Sequence, residues 1–416
     1  MNKQFYNLPS FVSATFGKNI ELLPSVDEMF EIEMAYLEFN CLTKGQLLER
    51  SAFVKSIDNK PTNHYLLYSN YNETINENRS SQTQAYFEEG QFSTGYATHG
   101  LFPYRGKFHP QLIKGLFNIL GIEKNETVLD PMAGSGTANV EAALMGINSY
   151  AVDVSLFCQF MIKVKYESLT IDVDLLEKTP FDNKKLFDFF KHGNVPKRIL
   201  EVKDIEKQKM YNLAFLAWLD ALGYSKRVVR SNHEQLFAKV LPRYIETVKS
   251  TLKNPYFKQS EMGKTTILSN SEALKIDLPN ESINCVITSP PYSFAIDYVE
   301  NDKDQLEFLG YNTKELKANL IGLKGKNKTE RLNNYFADMD KVCAEISRVL
   351  KKDKYFAMII GSNTNQTGGI RLEQTIIDSA KKYSLPLVKS ILKPIKGMRN
   401  TMKDEYKCFD SNKIAA

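Results

Sequence analysis

An α/β chain built on a mostly parallel sheet is what this sequence predicts, and three observations carry the prediction. From about residue 98 onward, short apolar strand candidates alternate with amphipathic helix candidates. Two of those strand candidates run straight into the turn-forming stretches DPMAGSGT and TSPPY, and strand ends are where open α/β sheets place ligands. No apolar run approaches the roughly 18 to 20 residues that span a bilayer, and the hydrophobic fraction of 43% with 25% charged residues is that of a globular chain.

Residues 1–97 read as an N-terminal extension whose role is not legible. They hold an amphipathic helix candidate, VDEMFEIEMAYLEF, and then an Asn/Ser/Gln-rich stretch from Asn70 to Gln84 with loop composition. The first part of the α/β domain is expected at 98–171. There HPQLIKGLFNILGI predicts a helix with Pro110 in its first turn and Gly121 as its stop. ETVLDPMAGSGT predicts a strand ending at Asp130 and a glycine turn, ANVEAALMG the following helix, and NSYAVDVS a second strand ending at Asp153. Residues 172–262 interrupt the alternation with a Lys-rich, almost wholly helical stretch that contains the only tryptophan. Alternation resumes over 263–416 with TTILSNSEAL, INCVITSPPY, the helix NYFADMDKVCAEISRVLKKD, the strand YFAMIIGS, and a helix and strand at RLEQTIIDSAKKYS and PLVKSILKP.

Charge is unevenly spread. Residues 1–98 carry 7 Lys+Arg against 12 Asp+Glu, residues 183–260 carry 16 against 7, and residues 301–416 carry 22 against 14. Basic surface of this kind neutralises phosphates, although Lys-rich solvated helices give the same count. The five cysteines are far apart, with no C-x-x-C pair, which argues against a zinc knuckle or a disulfide framework, and no metal site is expected. None follows a proline, which disfavours the Pro-Cys chemistry of cytosine-C5 methylation. The N-terminus lacks the pattern of a secretory signal, so the expected location is the cytoplasm.

Two motifs carry chemistry. In Asp130-Pro131-Met132-Ala133-Gly134-Ser135-Gly136-Thr137 the glycines let the backbone approach a ligand and turn sharply into a helix. Asn139 stands where a dinucleotide fingerprint wants its third glycine, and the G-x-x-x-x-G-K-[ST] pattern is absent. Asp153, 23 residues after Asp130, sits where a carboxylate accepts hydrogen bonds from ribose hydroxyls. A strand-end Asp is more often a simple turn former, but together the two acids indicate a nucleoside-containing cofactor. The second motif is Thr288-Ser289-Pro290-Pro291-Tyr292. Its consecutive prolines fix a rigid extended turn that aims the Ser289 hydroxyl and the Pro290 carbonyl at one point, with Tyr292 available to stack on a flipped base. An ordinary proline turn is the competing reading.

DPMAGSGT followed downstream by TSPPY resembles the DNA amino-methyltransferases, which form N4-methylcytosine or N6-methyladenine. The resemblance covers roughly residues 98–168 and 265–410. It implies a Rossmann-like methyltransferase fold, S-adenosyl-L-methionine as cofactor, double-stranded DNA as substrate and a possible cognate restriction endonuclease as partner. Asp130, Ala133, Gly134, Gly136 and Asp153 then belong to the cofactor site, and Ser289, Pro290, Pro291 and Tyr292 to the catalytic loop. THGLFPYRGKFHPQL is similar to a stretch that helps hold the methionine part of the cofactor, which puts Lys107, Phe108 and Pro110 near it. SNSEAL implies Glu272 as the acid meeting the adenine, although the usual neighbouring glycine is missing. Asp297 and Tyr298 are implied near the base pocket. The family's large terminal recognition region has no counterpart here, so the basic insertion is the expected recognition element, helped by the loop GLKGKNKTERLNN with Lys324, Lys326, Lys328 and Arg331. The tetrapeptide SPPY favours cytosine N4 over adenine N6. An RNA amino-methyltransferase and a catalytically silent DNA-binding protein of the same fold are the alternatives.

Overall fold

The computed structural model describes residues 8–26, 29–67, 95–104, 106–226, 232–291, 297–361, 371–394 and 411–415. An antiparallel sheet of three short strands, β1 (Ile20–Leu22), β2 (Val54–Ile57) and β3 (Lys60–Pro61), forms with α1 (Leu8–Phe16), α2 (Met29–Cys41) and α3 (Lys44–Arg50) an N-terminal layer. The main sheet has seven strands: β4 (Thr127–Asp130), β5 (Asn148–Ala151), β6 (Thr265–Ile267), β7 (Ile283–Thr288), β8 (Leu350–Gly361), β9 (Ser390–Pro394) and β10 (Ser411–Ala415). Their order is β6-β5-β4-β7-β8-β10-β9. The first five run parallel, and β10 is antiparallel to both of its neighbours. This is a Rossmann-like α/β fold with one antiparallel strand next to the edge of its parallel sheet.

Strand sequence follows position in the sheet. Central β7, INCVIT, is buried at every residue, as a parallel strand covered on both faces must be. The period of two sorts neighbouring residues to opposite faces. Val128, Ile287, Ala357 and Ile359 pack with Leu112, Phe117 and Ala138 of α4 (Pro110–Ile119) and α5 (Thr137–Leu144) and with Phe16, Phe30 and Phe53 of the N-terminal layer. Leu129, Val286, Met358 and Ile360 pack with Met339, Ile346 and Ile376 of α15 (Lys328–Val349) and α16 (Leu372–Lys382). The extension is therefore a covering layer of the sheet's helices.

After β5 comes α6 (Leu156–Ser168) and then the insertion: α7 (Val173–Lys178), α8 (Asn183–Phe190), α9 (Val195–Leu200), α10 (Ile205–Ser225) and α11 (His233–Leu252). Its helical character agrees with the sequence prediction. Trp218, Phe215 and Phe237 share one core with Phe157 and Met161 of α6 and with Val299 and Leu306 of α12 (Tyr298–Asn301) and α13 (Lys303–Phe308), so the insertion is bonded to the site's surroundings by packing.

Some boundaries differ from those expected. The helix predicted from Asn334 to Asp353 begins six residues earlier, because the Asn327 side chain accepts the Glu330 amide and caps it. It ends at Val349, where the chain enters the long strand β8. Lys328 and Arg331 consequently lie on a helix and not in a loop. Strand β10 was not read from the sequence at all. The Asn70–Gln84 stretch lies outside the described residues. Among the described residues no helix is long and apolar enough to cross a membrane.

Candidate active site

The chain leaves β4 toward β5 on one side, whereas β7 leads to β8 on the other, so the connections diverge between two adjacent parallel strands. Such a switch point opens a crevice beyond the strand ends. A cleft of about 1050 Å³ lies there. Both motifs reach it: Ala133, Gly134 and Asp153 from one side, Ser289 and Pro291 from the other.

The two strand ends are tied together directly. The Thr288 hydroxyl donates to Asp130 Oδ1 at 2.8 Å, and the Met132 amide donates to the same oxygen at 3.2 Å. Asp130 Oδ2 is buried with no hydrogen-bond partner in the protein. Burial pushes the Asp130 carboxyl up to about 7, against the lowering effect of the Thr288 and Met132 hydrogen bonds. The sequence motif includes Thr288, but no role was read for it. Its signal was a hydroxyl at the last position of an otherwise apolar buried strand.

Asp153 lines the cleft two residues beyond β5. Oδ2 accepts from the Gly134 amide and Oδ1 from the Ser155 amide, each at 2.8 Å. These bonds fix the carboxylate's orientation and use one lone pair on each oxygen. Burial still raises its pKa to about 6. Gly134 and Gly136 have φ of 51° and 74°, the left-handed region that costs other residues about a kcal/mol or more. Their roles differ. Gly134 lines the cleft, whereas a Cβ on Gly136 would come within 2.7 Å of Ile162 on α6. The structure thus places Gly136 against a helix and not against the ligand space, because the turn must pass close to α6. Buried Lys165 on the same helix donates to the Ser135 carbonyl at 3.0 Å and holds the glycine loop from beneath. Burial pushes its ammonium well below the ordinary lysine range.

Lys107, Phe108 and Glu272 all line the cleft. Lys107 donates to the His99 carbonyl at 3.1 Å, and burial lowers its pKa to about 8. His99 is itself held at 2.8 Å by the buried Glu141 of α5. Pro110 starts α4 and is buried away from the cleft lining.

On the opposite side, the Ser289 hydroxyl donates to the Ile359 carbonyl at 2.9 Å. Its hydrogen is committed, so toward the cleft the oxygen can only accept. Pro290 is buried and Pro291 lines the cleft. Tyr292 lies outside the described residues. Tyr298 also lines the cleft and stacks on Tyr104, with ring centroids 6.1 Å apart and planes at 15°. Asp297, implied near the base pocket, caps α12 by accepting the Glu300 amide and pairs with Lys317 of α14 (Thr313–Asn319). Sequence reasoning also missed Leu316, Leu320 and Ile321, which form an apolar wall of the same cleft.

The basic residues divide. Lys324 is half-buried and pairs with Asp338 at 2.9 Å, and Arg331 Nε donates to the Gly325 carbonyl, so both serve the local fold. Lys326 and Lys328 are exposed. Within the insertion, Lys249 and Lys253 share Glu177, and Arg243 pairs with Asp220.

Residues 101–215 match the family described as RMKL-like, methyltransferase domain. The chain is 24% identical over 330 residues to the type II methyltransferase M.BsoBI of Geobacillus stearothermophilus, covering 62% of this chain and 63% of that protein. It is 21% identical over 395 residues to the type II methyltransferase M.MvaI of Kocuria varians, covering 75% of this chain and 87% of the relative. Over much of its length the chain is thus similar to type II methyltransferases. A shorter match, 38% over 100 residues, links it to M.MjaII of Methanocaldococcus jannaschii over 22% of this chain and 18% of that one. The chain spans less than two thirds of the length of M.BsoBI.

Proposed function

We propose that this chain transfers a methyl group from S-adenosylmethionine to the exocyclic amine of a base in double-stranded DNA, with cytosine N4 preferred to adenine N6, as the modification member of a restriction system. The observation that carries the reading is the single cleft lined both by the Gly134–Asp153 pair and by Ser289 and Pro291. The residues fit the cofactor: an oriented carboxylate for a ribose diol, a glycine loop for close backbone approach, and a buried orphan oxygen on Asp130 beside it. When bound, the cofactor supplies a methyl group already activated on a sulfonium.

The remaining work is positional. Ser289 Oγ and the Pro290 carbonyl accept hydrogen bonds from the amine, which orients its lone pair toward the methyl donor and favours the pyramidal nitrogen. The two prolines keep that carbonyl fixed. Tyr292 is assigned the stacking face for a flipped base, worth about 1 to 3 kcal/mol. Transfer is direct. Cys158 lines the cleft, but burial raises its thiol well above the ordinary range, so it does not present the thiolate that covalent catalysis needs. Lys326, Lys328 and the exposed lysines of the insertion are assigned to the phosphate backbone.

Mass spectrometry of nucleosides from DNA of a host expressing the chain tests the reading. N4-methylcytosine is expected. N6-methyladenine would reverse the base assignment, and unmodified DNA from a host making folded protein would sink the function.

A further inference from the structure

We infer that Glu141 and Tyr244 are positioning residues of the cofactor site: together they clamp the turn that aims the Lys107 ammonium at the carboxylate of the cofactor's methionine part. The inference rests on the S-adenosylmethionine reading of the cleft. That cofactor ends in an amino acid, so the cleft must meet a carboxylate as well as a ribose. Among the described residues that line it, Lys107 carries the only positive charge, against the acids Asp153, Glu272 and Asp302.

A lysine ammonium is a point charge on a flexible stem, so its aim has to be supplied by what it is bonded to. Here the His99 carbonyl supplies it, accepting from Lys107 Nζ at 3.1 Å. An ammonium has three hydrogens, and this bond directs it without cancelling its charge. The carbonyl belongs to a short 3-10 turn, Ala97–Gly100, that is held from two sides. On one side His99 Nε2 donates to Glu141 Oε1 at 2.8 Å, and the Tyr96 hydroxyl donates to the same oxygen. All three side chains are buried. Glu141 sits one turn into α5, the helix that grows out of the glycine loop at Gly136, so the Lys107 anchor and that loop are fixed to one body. On the other side the Phe102 amide donates to the Tyr244 hydroxyl oxygen at 2.7 Å, and that hydroxyl donates to Asp220 Oδ2 at 2.9 Å. Tyr244 lies on α11 and Asp220 on α10, so the insertion braces the cofactor side of the cleft. The backbone bears the mark of this clamp. Ala97 and Phe102 have φ of 48° and 60°, a region disfavoured for residues with a Cβ that persists where surrounding contacts over-determine it.

The test compares two ligands of the full chain by calorimetry: S-adenosylhomocysteine, which has the amino-acid end, and methylthioadenosine, which lacks it. Lys107→Met should weaken S-adenosylhomocysteine about tenfold, as loss of a hydrogen bond to a charged group does, and leave methylthioadenosine within about twofold. Glu141→Met and Tyr244→Phe should each weaken S-adenosylhomocysteine about fivefold and methylthioadenosine by no more than about twofold, and should add nothing once Lys107→Met is in place. Tyr244→Phe keeps the ring and loses only the oxygen, so it decides the matter where Glu141→Met does not fold. No loss, equal losses for the two ligands, or losses that add in full to that of Lys107→Met would overturn the positioning role. An unchanged preference for S-adenosylhomocysteine in Lys107→Met would remove Lys107 as the carboxylate's partner, and the inference with it, while leaving the cofactor reading in place. Failure of the wild type to bind either ligand would remove that reading itself.

Discussion

The Ser289 hydroxyl and the two buried aspartates respond to different variables, which makes them separable in solution. Ser289 Oγ gives its hydrogen to the Ile359 carbonyl and keeps acceptor capacity for an incoming amine. Ser289→Ala should slow methyl transfer about tenfold, the worth of one hydrogen bond of about 1.4 kcal/mol. Cofactor affinity should stay within twofold, because Asp153 and Gly134 carry that side. A parallel loss of cofactor affinity would show that the hydroxyl is structural. Asp130 and Asp153 are raised by burial to about 7 and about 6. A carboxyl raised in the folded state binds more protons there than in the unfolded chain. Its stabilising contribution is thus full below about pH 4 and lost as pH rises through 6 to 7. Asp130→Asn keeps an oxygen for Thr288 and Met132 and removes the ionisation, so its melting temperature should gain on the wild type from pH 5 to pH 8. A gap that does not change with pH would refute the raised carboxyl. Asp153 must be ionised to accept from a diol, so cofactor affinity should weaken as pH falls below about 6, and Asp153→Asn should bind weakly with a flatter profile.

At the scale of elements, the glycine turn and the Lys-rich segment show what a sequence reveals and what it hides. Both strand-end motifs were legible because their spacing and their punctuation by glycine and proline follow from backbone geometry alone. Lys107, Phe108, Ala133, Gly134, Asp153, Glu272, Ser289 and Pro291 do line one cleft. Which glycine faces the ligand was not legible, since Gly134 and Gly136 look alike until α6 is packed beneath them. Gly136→Val should therefore misfold the loop by collision with Ile162, lowering the melting temperature along with cofactor binding. A fully stable variant with no cofactor affinity would instead put Gly136 at the ligand. Partnering hid the roles of the lysines. Lys324 is spent on Asp338 and should leave the salt dependence of DNA binding unchanged when replaced by Ala. Lys326→Ala with Lys328→Ala should flatten the slope of log K against log salt by about 0.9 for each phosphate that is no longer neutralised. An unchanged slope in the double variant would move the backbone-binding surface into the insertion.

For the whole molecule, the N-terminal layer was the least legible part, because its determinant is a charge where an amphipathic pattern predicts an exposed one. Glu38 on α2 is completely buried. Its carboxylate accepts from Ser51 Oγ at 2.5 Å, from the Ala52 and Phe53 amides at 2.8 and 3.3 Å, and from Asn118 Nδ2 of α4 at 2.6 Å. One side chain thus joins α2, the turn into β2 and a helix that covers the methyltransferase sheet. Burial raises its pKa while the four hydrogen bonds oppose the shift. Phe16, Phe30 and Phe53 share a core with Val128 and Ile287 of the central strands, so removing the layer would expose the face of the sheet that supports both motifs. Glu38→Ala leaves the Ser51 hydroxyl and the Ala52 amide without their acceptor, at about 1 to 3 kcal/mol for each buried group left unpaired, whereas the Phe53 amide keeps Ser51 Oγ and Asn118 Nδ2 keeps the Arg50 carbonyl. The expected result is a lowered melting temperature in one cooperative transition, in which loss of cofactor binding coincides with loss of helical signal. Two separate transitions, with cofactor binding surviving the first, would show that the layer is an independent unit and that the cleft does not depend on it.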